Sequence, residues 1–250
     1  MTVSATRTGT PLLAVSDLHV AYGKAHVVHG VSFRVHPGEF VVMLGRNGAG
    51  KSTVLHAVSG LVPKRAGTVT FAGQDVTRAS PGEIVRAGLV QVLEGHRVFT
   101  SLTVEDNLLL GTYARRAADA RESLERAYAD FPEIAEKRHQ QASRLSGGQQ
   151  QILAVAQGMM ADPLLLILDE PSGGLAPIVV DRILAVAAGL TGRGLAILLV
   201  EQLVEKALKH AHYGYLLETG AIGGEGYADE LGNSDLLRRI YLGGSEHAAS

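Results

Sequence analysis

The segment Gly45-Arg46-Asn47-Gly48-Ala49-Gly50-Lys51-Ser52-Thr53 constrains this chain more than any other. It fits the pattern G-x-x-x-x-G-K-[ST], in which glycines let the backbone curl until successive N–H groups point at phosphate oxygens. Its surroundings suit that reading. Phe40 to Leu44 is an unbroken apolar run closed by glycine and reads as a buried strand. Ser52 to Gly60 carries Val54, Leu55 and Val58 at helical spacing, so a helix N-terminus adds its partial positive charge beside the loop. An ordinary glycine-rich turn that happens to contain Lys-Ser has no need of that strand or that helix. The loop is therefore expected to bind a nucleotide through Gly45, Asn47, Gly48, Ala49, Gly50, Lys51, Ser52 and Thr53. Lys51 is expected to reach the β- and γ-phosphates, and the Ser52 hydroxyl to ligate Mg²⁺.

A second element completes the chemistry. The apolar run Leu164 to Leu168 ends in Asp169-Glu170. Asp169 at the end of a buried strand is placed to hold Mg²⁺ through its water shell, and Glu170 to orient and polarise the water that attacks the γ-phosphate. Two acids after a strand often just open a solvated loop; behind a phosphate loop they predict the other half of a hydrolytic site.

The remaining pattern is that of an α/β core with an insertion. Leu12 to Val42 alternates β-rich stretches with turns at Tyr22-Gly23-Lys24 and Pro37-Gly38, and Gly67 to Gly73 reads as a strand of a peripheral sheet. Leu102 to Gln157 is mostly helical, opening on a capping signal at Thr103 with Asp106 three residues on. Leu195 to Val200 returns to an unbroken apolar run, as suits a strand covered on both faces. An apolar fraction of 46% is ample for a buried core. The formal charge of −2 gives no electrostatic case for nucleic acid or an anionic membrane surface, and the absence of cysteine excludes disulfide and thiolate chemistry. No run of about 18 apolar residues is present, so no segment is predicted to span a bilayer and the chain is expected to be soluble. The histidine pairs His26/His29 and His210/His212 lack a convincing third ligand and read as solvated surface residues. The mixed charges from Arg115 to Arg126 read as an exposed helix face.

Leu145-Ser146-Gly147-Gly148-Gln149-Gln150-Gln151, at the start of a helix and shortly before Asp169, resembles the signature of ABC ATPases. The resemblance runs from about Leu12 to Gly243. It implies a phosphate-loop NTPase (RecA-like) core with an antiparallel β subdomain and an inserted α-helical subdomain, that is, the ABC ATPase fold. On that basis residues 12–243 form one domain between tails at 1–11 and 244–250. The core takes 12–93 and 160–225, the helical subdomain about 94–159, and a C-terminal segment 226–243. The resemblance also implies ATP and Mg²⁺ as ligands, and a head-to-tail dimer in which Ser146, Gly147 and Gly148 serve the ATP held by the partner's phosphate loop. Tyr22 matches the position whose ring stacks on adenine.

Glu94-Gly95-His96-Arg97-Val98-Phe99, Leu102-Thr103-Val104-Glu105-Asp106-Asn107-Leu108, Asp169-Glu170-Pro171-Ser172, Gly174-Leu175-Ala176-Pro177, Val200-Glu201-Gln202 and Tyr241-Leu242-Gly243-Gly244 look like the branched-chain amino acid importers, in particular their shorter, F-type subunit. This implies an ATPase working at the cytoplasmic face of the plasma (inner) membrane. Its partners would be a second ATPase subunit (itself or a paralogue), membrane permeases docking around Glu94 to Thr103, and indirectly a periplasmic or extracellular substrate-binding protein. Importers of urea and short amides carry similar ATPases, and an ATP-binding switch with little hydrolysis is a further alternative. ABC proteins of translation or DNA repair carry two cassettes or a long coiled coil, which fit nothing here.

Several positions depart from the wider family. Glu94 stands where most members carry glutamine, with Gln91 three residues out of register, and Glu94 is expected to serve Mg²⁺. Gln202 stands where a switch histidine is usual; its amide can hydrogen-bond the γ-phosphate but carries no proton, so hydrolysis leans on Glu170. Leu93, Gln157, Gly173, Leu203 and Tyr213 are unusual even for the subfamily. Gly173 is expected to loosen a loop that crosses the dimer interface.

Overall fold

A computed structural model of the chain describes residues 9–95, 97–114, 120–235 and 237. His96, part of the Arg115–Arg126 stretch and the Tyr241–Gly244 motif lie outside them. The chain opens with a hairpin of β1 (Leu13–Tyr22) and β2 (Ala25–Val35), then β3 (Phe40–Leu44) and α1 (Lys51–Val58). Next come β4 (Ala66–Phe71), β5 (Gln74–Asp75), α2 (Pro81–Arg86) and β6 (Leu89–Val92). The helical stretch holds α3 (Val104–Leu110), α4 (Ala120–Asp130), α5 (Pro132–Ala135) and α6 (Gly147–Met159). After it follow β7 (Leu165–Asp169), α7 (Pro177–Thr191), β8 (Ala196–Glu201), α8 (Val204–His210), β9 (Tyr213–Glu218), β10 (Ala221–Tyr227) and α9 (Ala228–Gly232).

Two sheets result. The smaller, antiparallel throughout, runs β2-β1-β4-β5; the larger runs β10-β9-β3-β8-β7-β6, parallel except for its antiparallel edge strand β10. The unbroken apolar runs explain the larger sheet, because side chains alternate between its faces and both faces are covered. Phe40, Val42 and Leu44 of β3, Leu166 and Leu168 of β7, and Ile197 and Leu199 of β8 pack with α3 to α7. The intervening Val41, Met43, Leu165, Ile167, Leu198 and Val200 pack with α1 and the smaller sheet. The helical insert thus shares one hydrophobic core with the sheet.

The helical stretch begins as its capping signal predicts. Thr103 Oγ1 accepts from Asp106 N at 3.0 Å and donates to the Asp106 carboxylate at 2.6 Å. Ser146 caps α6 in the same way, accepting from Gln149 N at 3.3 Å while Ser146 N donates to Gln149 Oε1 at 3.1 Å. Among the described residues, no helix is long and apolar enough to cross a membrane.

Candidate active site

The parallel strands β3, β7 and β8 deliver their C-terminal ends to one edge of the larger sheet, which is where ligands bind in open α/β sheets. The phosphate loop fills the turn from β3 into α1. Gly50 caps α1 with a φ of 101°, a left-handed conformation costly for any residue with a Cβ. At Gly45 a Cβ would collide with the carbonyl of Leu217 on neighbouring β9. These two glycines are what lets the loop curl tightly against the sheet.

Lys51 is 4% exposed, and its ammonium folds back into its own loop. It donates to the carbonyls of Gly45 (2.9 Å) and Arg46 (3.2 Å) and pairs with Glu170 Oε1 at 3.2 Å. Ser52 Oγ donates to Asp169 Oδ1 at 2.9 Å, so the hydroxyl and the carboxylate expected to serve Mg²⁺ face each other. Burial pushes the Asp169 carboxyl above its ordinary range. The Ser52 hydrogen bond and His56, 3.6 Å away, oppose that shift, while the charges of Glu170 and Glu94 reinforce it. A buried carboxylate beside a hydroxyl oxygen is an all-oxygen donor set suited to a small hard cation, whose charge would favour the ionised form that burial opposes. The residues present fit Mg²⁺.

Glu170 sits at a φ of 43°, an uncommon backbone conformation for a side chain of this size and one that clusters at functional sites. Its backbone N–H donates to Val200 O at 3.0 Å, and its Oε2 accepts from Gln202 Nε2 at 2.6 Å. Lys51, Glu170 and Gln202 therefore form one connected group although 151 positions of sequence separate the first from the last. The next residue back, Glu201, is 1% exposed and accepts from both Ser172 and Gln202.

Three other expected elements stand apart from this group. Tyr22, 49% exposed, ends β1 at a turn whose Gly23 carbonyl accepts from Arg65 at 3.0 Å. Ser146, Gly147 and Gly148 begin α6, with Ser146 and Gly147 exposed. Glu94 is exposed beyond β6, near enough for its charge to act on Asp169. The side chain that touches Asp169 from β6 is Gln91, Nε2 to Oδ2 at 3.5 Å, with its own Oε1 buried and without a hydrogen-bond partner. Sequence reasoning sets Gln91 aside on register and gives no part to His56; the β6 pairing, Gln91 opposite Ile167 and Val92 opposite Leu168, is the signal that places Gln91 beside Asp169.

The family model for ABC transporters matches residues 28–173, more than half of the chain. This chain is an ABC transporter ATPase. It is 37% identical over 233 residues to the high-affinity branched-chain amino acid transport ATP-binding protein BraG of Pseudomonas aeruginosa, covering 93% of this chain and 100% of that protein. The probable branched-chain amino acid transport ATP-binding protein LivF of Archaeoglobus fulgidus is 32% identical, covering 93% of this chain and 99% of its own. The crystal structure of the ADP conformation of an ATP-binding cassette of an ABC transporter superposes with a TM-score of 0.82 at 25% identity, over 94% of this chain and 100% of that one.

In this ABC ATPase four of the five unusual positions fall into two groups. Leu93 and Gln157 line a groove of about 240 Å³ between β6, α2 and α6, together with Gln91 and Arg97. Gly173 and Leu203 are exposed on the loops after β7 and β8. It is Gly174, with a φ of 71°, that needs glycine; a Cβ at Gly173 meets nothing closer than the Glu170 carbonyl at 3.6 Å, so the backbone does not demand glycine there. Tyr213, by contrast, is core, 3% exposed and edge-on to Tyr215 and Tyr227. His212 is exposed as expected but also holds the fold, because its Nδ1 accepts from Phe40 N at 2.8 Å.

Proposed function

We propose that this ATPase energises uptake of branched-chain amino acids as a peripheral subunit of an importer, held at the cytoplasmic face of the inner membrane by permease subunits. The names of the BraG and LivF relatives and the importer-like motifs from Glu94 to Gln202 support the substrate class. The observation that carries the hydrolytic reading is the connected group Lys51–Glu170–Gln202 beside the Ser52–Asp169 pair.

In this reading Lys51 exchanges its loop carbonyls for the β- and γ-phosphate oxygens. Its bond to Glu170 loosens as the phosphates take over, leaving that carboxylate to accept a hydrogen bond from the attacking water and then its proton. Oxygen of that water forms the new bond to the γ-phosphorus while the bond to the β–γ bridging oxygen breaks in line. Gln202 donates its amide to the γ-phosphate and keeps Glu170 in place, but takes no proton. Ser52, Asp169 through its water shell, and Glu94 would hold Mg²⁺, which would supply charge neutralisation at the phosphates. Catalysis is then positioning and charge stabilisation.

The signature residues Ser146 to Gly148, the first two exposed, lie outside that group, which supports a head-to-tail dimer where they meet the ATP of a second subunit. Tyr22, half exposed on the turn that Arg65 pins, is suited to stacking on adenine. The Leu93–Gln157 groove, with Arg97 on its wall inside the Glu94 to Thr103 segment, supports a permease dock there. On the expected bounds that groove lies between the core (12–93) and the helical subdomain (about 94–159).

The deciding experiment is Mg-dependent ATP turnover by the purified chain, alone and mixed with a paralogous ATPase subunit, beside Glu170→Gln. Glu170→Gln is expected to lower kcat by about 10²–10⁴-fold with ATP still bound. Unchanged turnover would remove Glu170 from the mechanism, and stimulation by the paralogue would favour a mixed dimer.

A further inference from the structure

We infer that Glu201 is a positioning residue for hydrolysis: one buried carboxylate that clamps together the loop carrying Glu170 and the loop carrying Gln202. The inference rests on the reading of Glu170 given above. Glu201 closes β8, directly opposite Leu44 at the end of the strand that feeds the phosphate loop. It is 1% exposed, and a carboxylate that deep in a sheet persists only where donors converge on it. Four do. Oε1 accepts from Ser172 N at 3.0 Å, and Oε2 accepts from Ser172 Oγ at 2.8 Å, Gln202 N at 3.0 Å and Leu203 N at 3.4 Å.

The donors come from two loops, and these two loops meet where Gln202 donates to Glu170. Ser172 stands two residues after Glu170, whose carboxylate bridges Lys51 (3.2 Å) and Gln202 (2.6 Å). The φ of 43° at Glu170 is a conformation the local chain does not favour, so something beyond it must hold it. The Ser172 arm of Glu201 supplies that hold from one side, and the Gln202 arm fixes the amide that meets Glu170 from the other. Hydrogen bonds to a carboxylate are short and strong, and both its oxygens accept. Glutamine at 201 offers one oxygen and turns an NH₂ toward donors, so it loses at least one of the four bonds while filling the same space.

A merely structural role and a positioning role differ in what they move. Loss of fold lowers nucleotide affinity, thermal stability and turnover together; loss of positioning lowers kcat alone. The experiment uses the full chain with steady-state ATP turnover, binding of a fluorescent ATP analogue and thermal unfolding, on Glu201→Gln, Ser172→Ala, Gln202→Ala and the double variant Glu201→Gln/Gln202→Ala. Glu201→Gln is expected to lower kcat by about 10²-fold, the cost of a small misplacement, with KM and analogue affinity within about twofold. Ser172→Ala is expected to move kcat the same way by less. The double variant should lose less than the product of the single losses, because both changes act on one arrangement.

Wild-type kcat in a folded Glu201→Gln overturns the inference, as does a fall in analogue affinity that matches the fall in kcat. Should Glu201→Gln fail to fold, Ser172→Ala decides, and wild-type kcat there overturns it. Glu170→Gln, run alongside, separates the two readings. If it keeps full turnover, the assignment of Glu170 fails. If it abolishes turnover while Glu201→Gln is unimpaired, the positioning role alone fails.

Discussion

At the scale of single residues, the site is built around a carboxylate that its surroundings do not want charged. Burial holds Asp169 above the ordinary carboxylate range, so the folded state binds that proton more tightly than the unfolded chain does. The stability this contributes is fully present below the unfolded pKa and is lost as pH rises through the raised folded value, so ionising Asp169 costs stability. Asp169→Asn is therefore expected to raise the melting temperature of the nucleotide-free, Mg-free protein while removing Mg-dependent turnover. A lower melting temperature would show that the Ser52 hydrogen bond outweighs the burial cost. The residues legible in the sequence are those in contiguous motifs: the Gly45–Thr53 loop, and Asp169-Glu170 at the end of an apolar run. Gln91 and Glu201 are not legible there as site residues, because the contacts that tie them to the site, Gln91 to Asp169 and Ser172 to Glu201, span 78 and 29 positions and no local pattern encodes them.

Among elements, the long and continuous ones follow directly from apolar patterning, as with β3, β7 and β8, while β6 does not. Four residues with Gln91 among them give too short an alternation to read, and β6 is defined by pairing with β7 rather than by its own sequence. Tyr213 shows a different limit. It looks anomalous along the chain, yet β9 places it in a run of aromatic rings: Phe33 against Tyr215 at 5.8 Å, Tyr215 against Tyr213 at 5.3 Å, and Tyr213 against Tyr227 at 5.6 Å. The Tyr215 hydroxyl adds hydrogen bonds with the backbone of Arg34 on β2, so the run ties the smaller sheet to the larger. Tyr213→Ala should cost about 3–5 kcal/mol, the usual range for emptying a buried aromatic site, as read by denaturant unfolding. A cost below about 1 kcal/mol would mean that β9 holds its place without these rings.

For the molecule as a whole, the alternation of β3, β7 and β8 between two cores has a thermodynamic consequence. One face of these strands packs on α3 to α7 and the other on α1 and the smaller sheet, so neither layer can come away without exposing the same strands. Calorimetry of the nucleotide-free protein is expected to show one transition for the helical insert and the sheet together, coincident by near- and far-UV circular dichroism. Two resolved peaks would mean that the insert melts as its own unit. The strand order carries a consequence for how the protein comes into being. β3, which presents the phosphate loop, lies between β8 and β9, and neither begins until roughly 150 residues after β3 ends. On a ribosome adding about 5–20 residues per second, that strand waits about 10–30 s for its neighbours. A nascent chain stalled before β8 carries the complete phosphate loop and still has no strand on either side of β3 to mount it on.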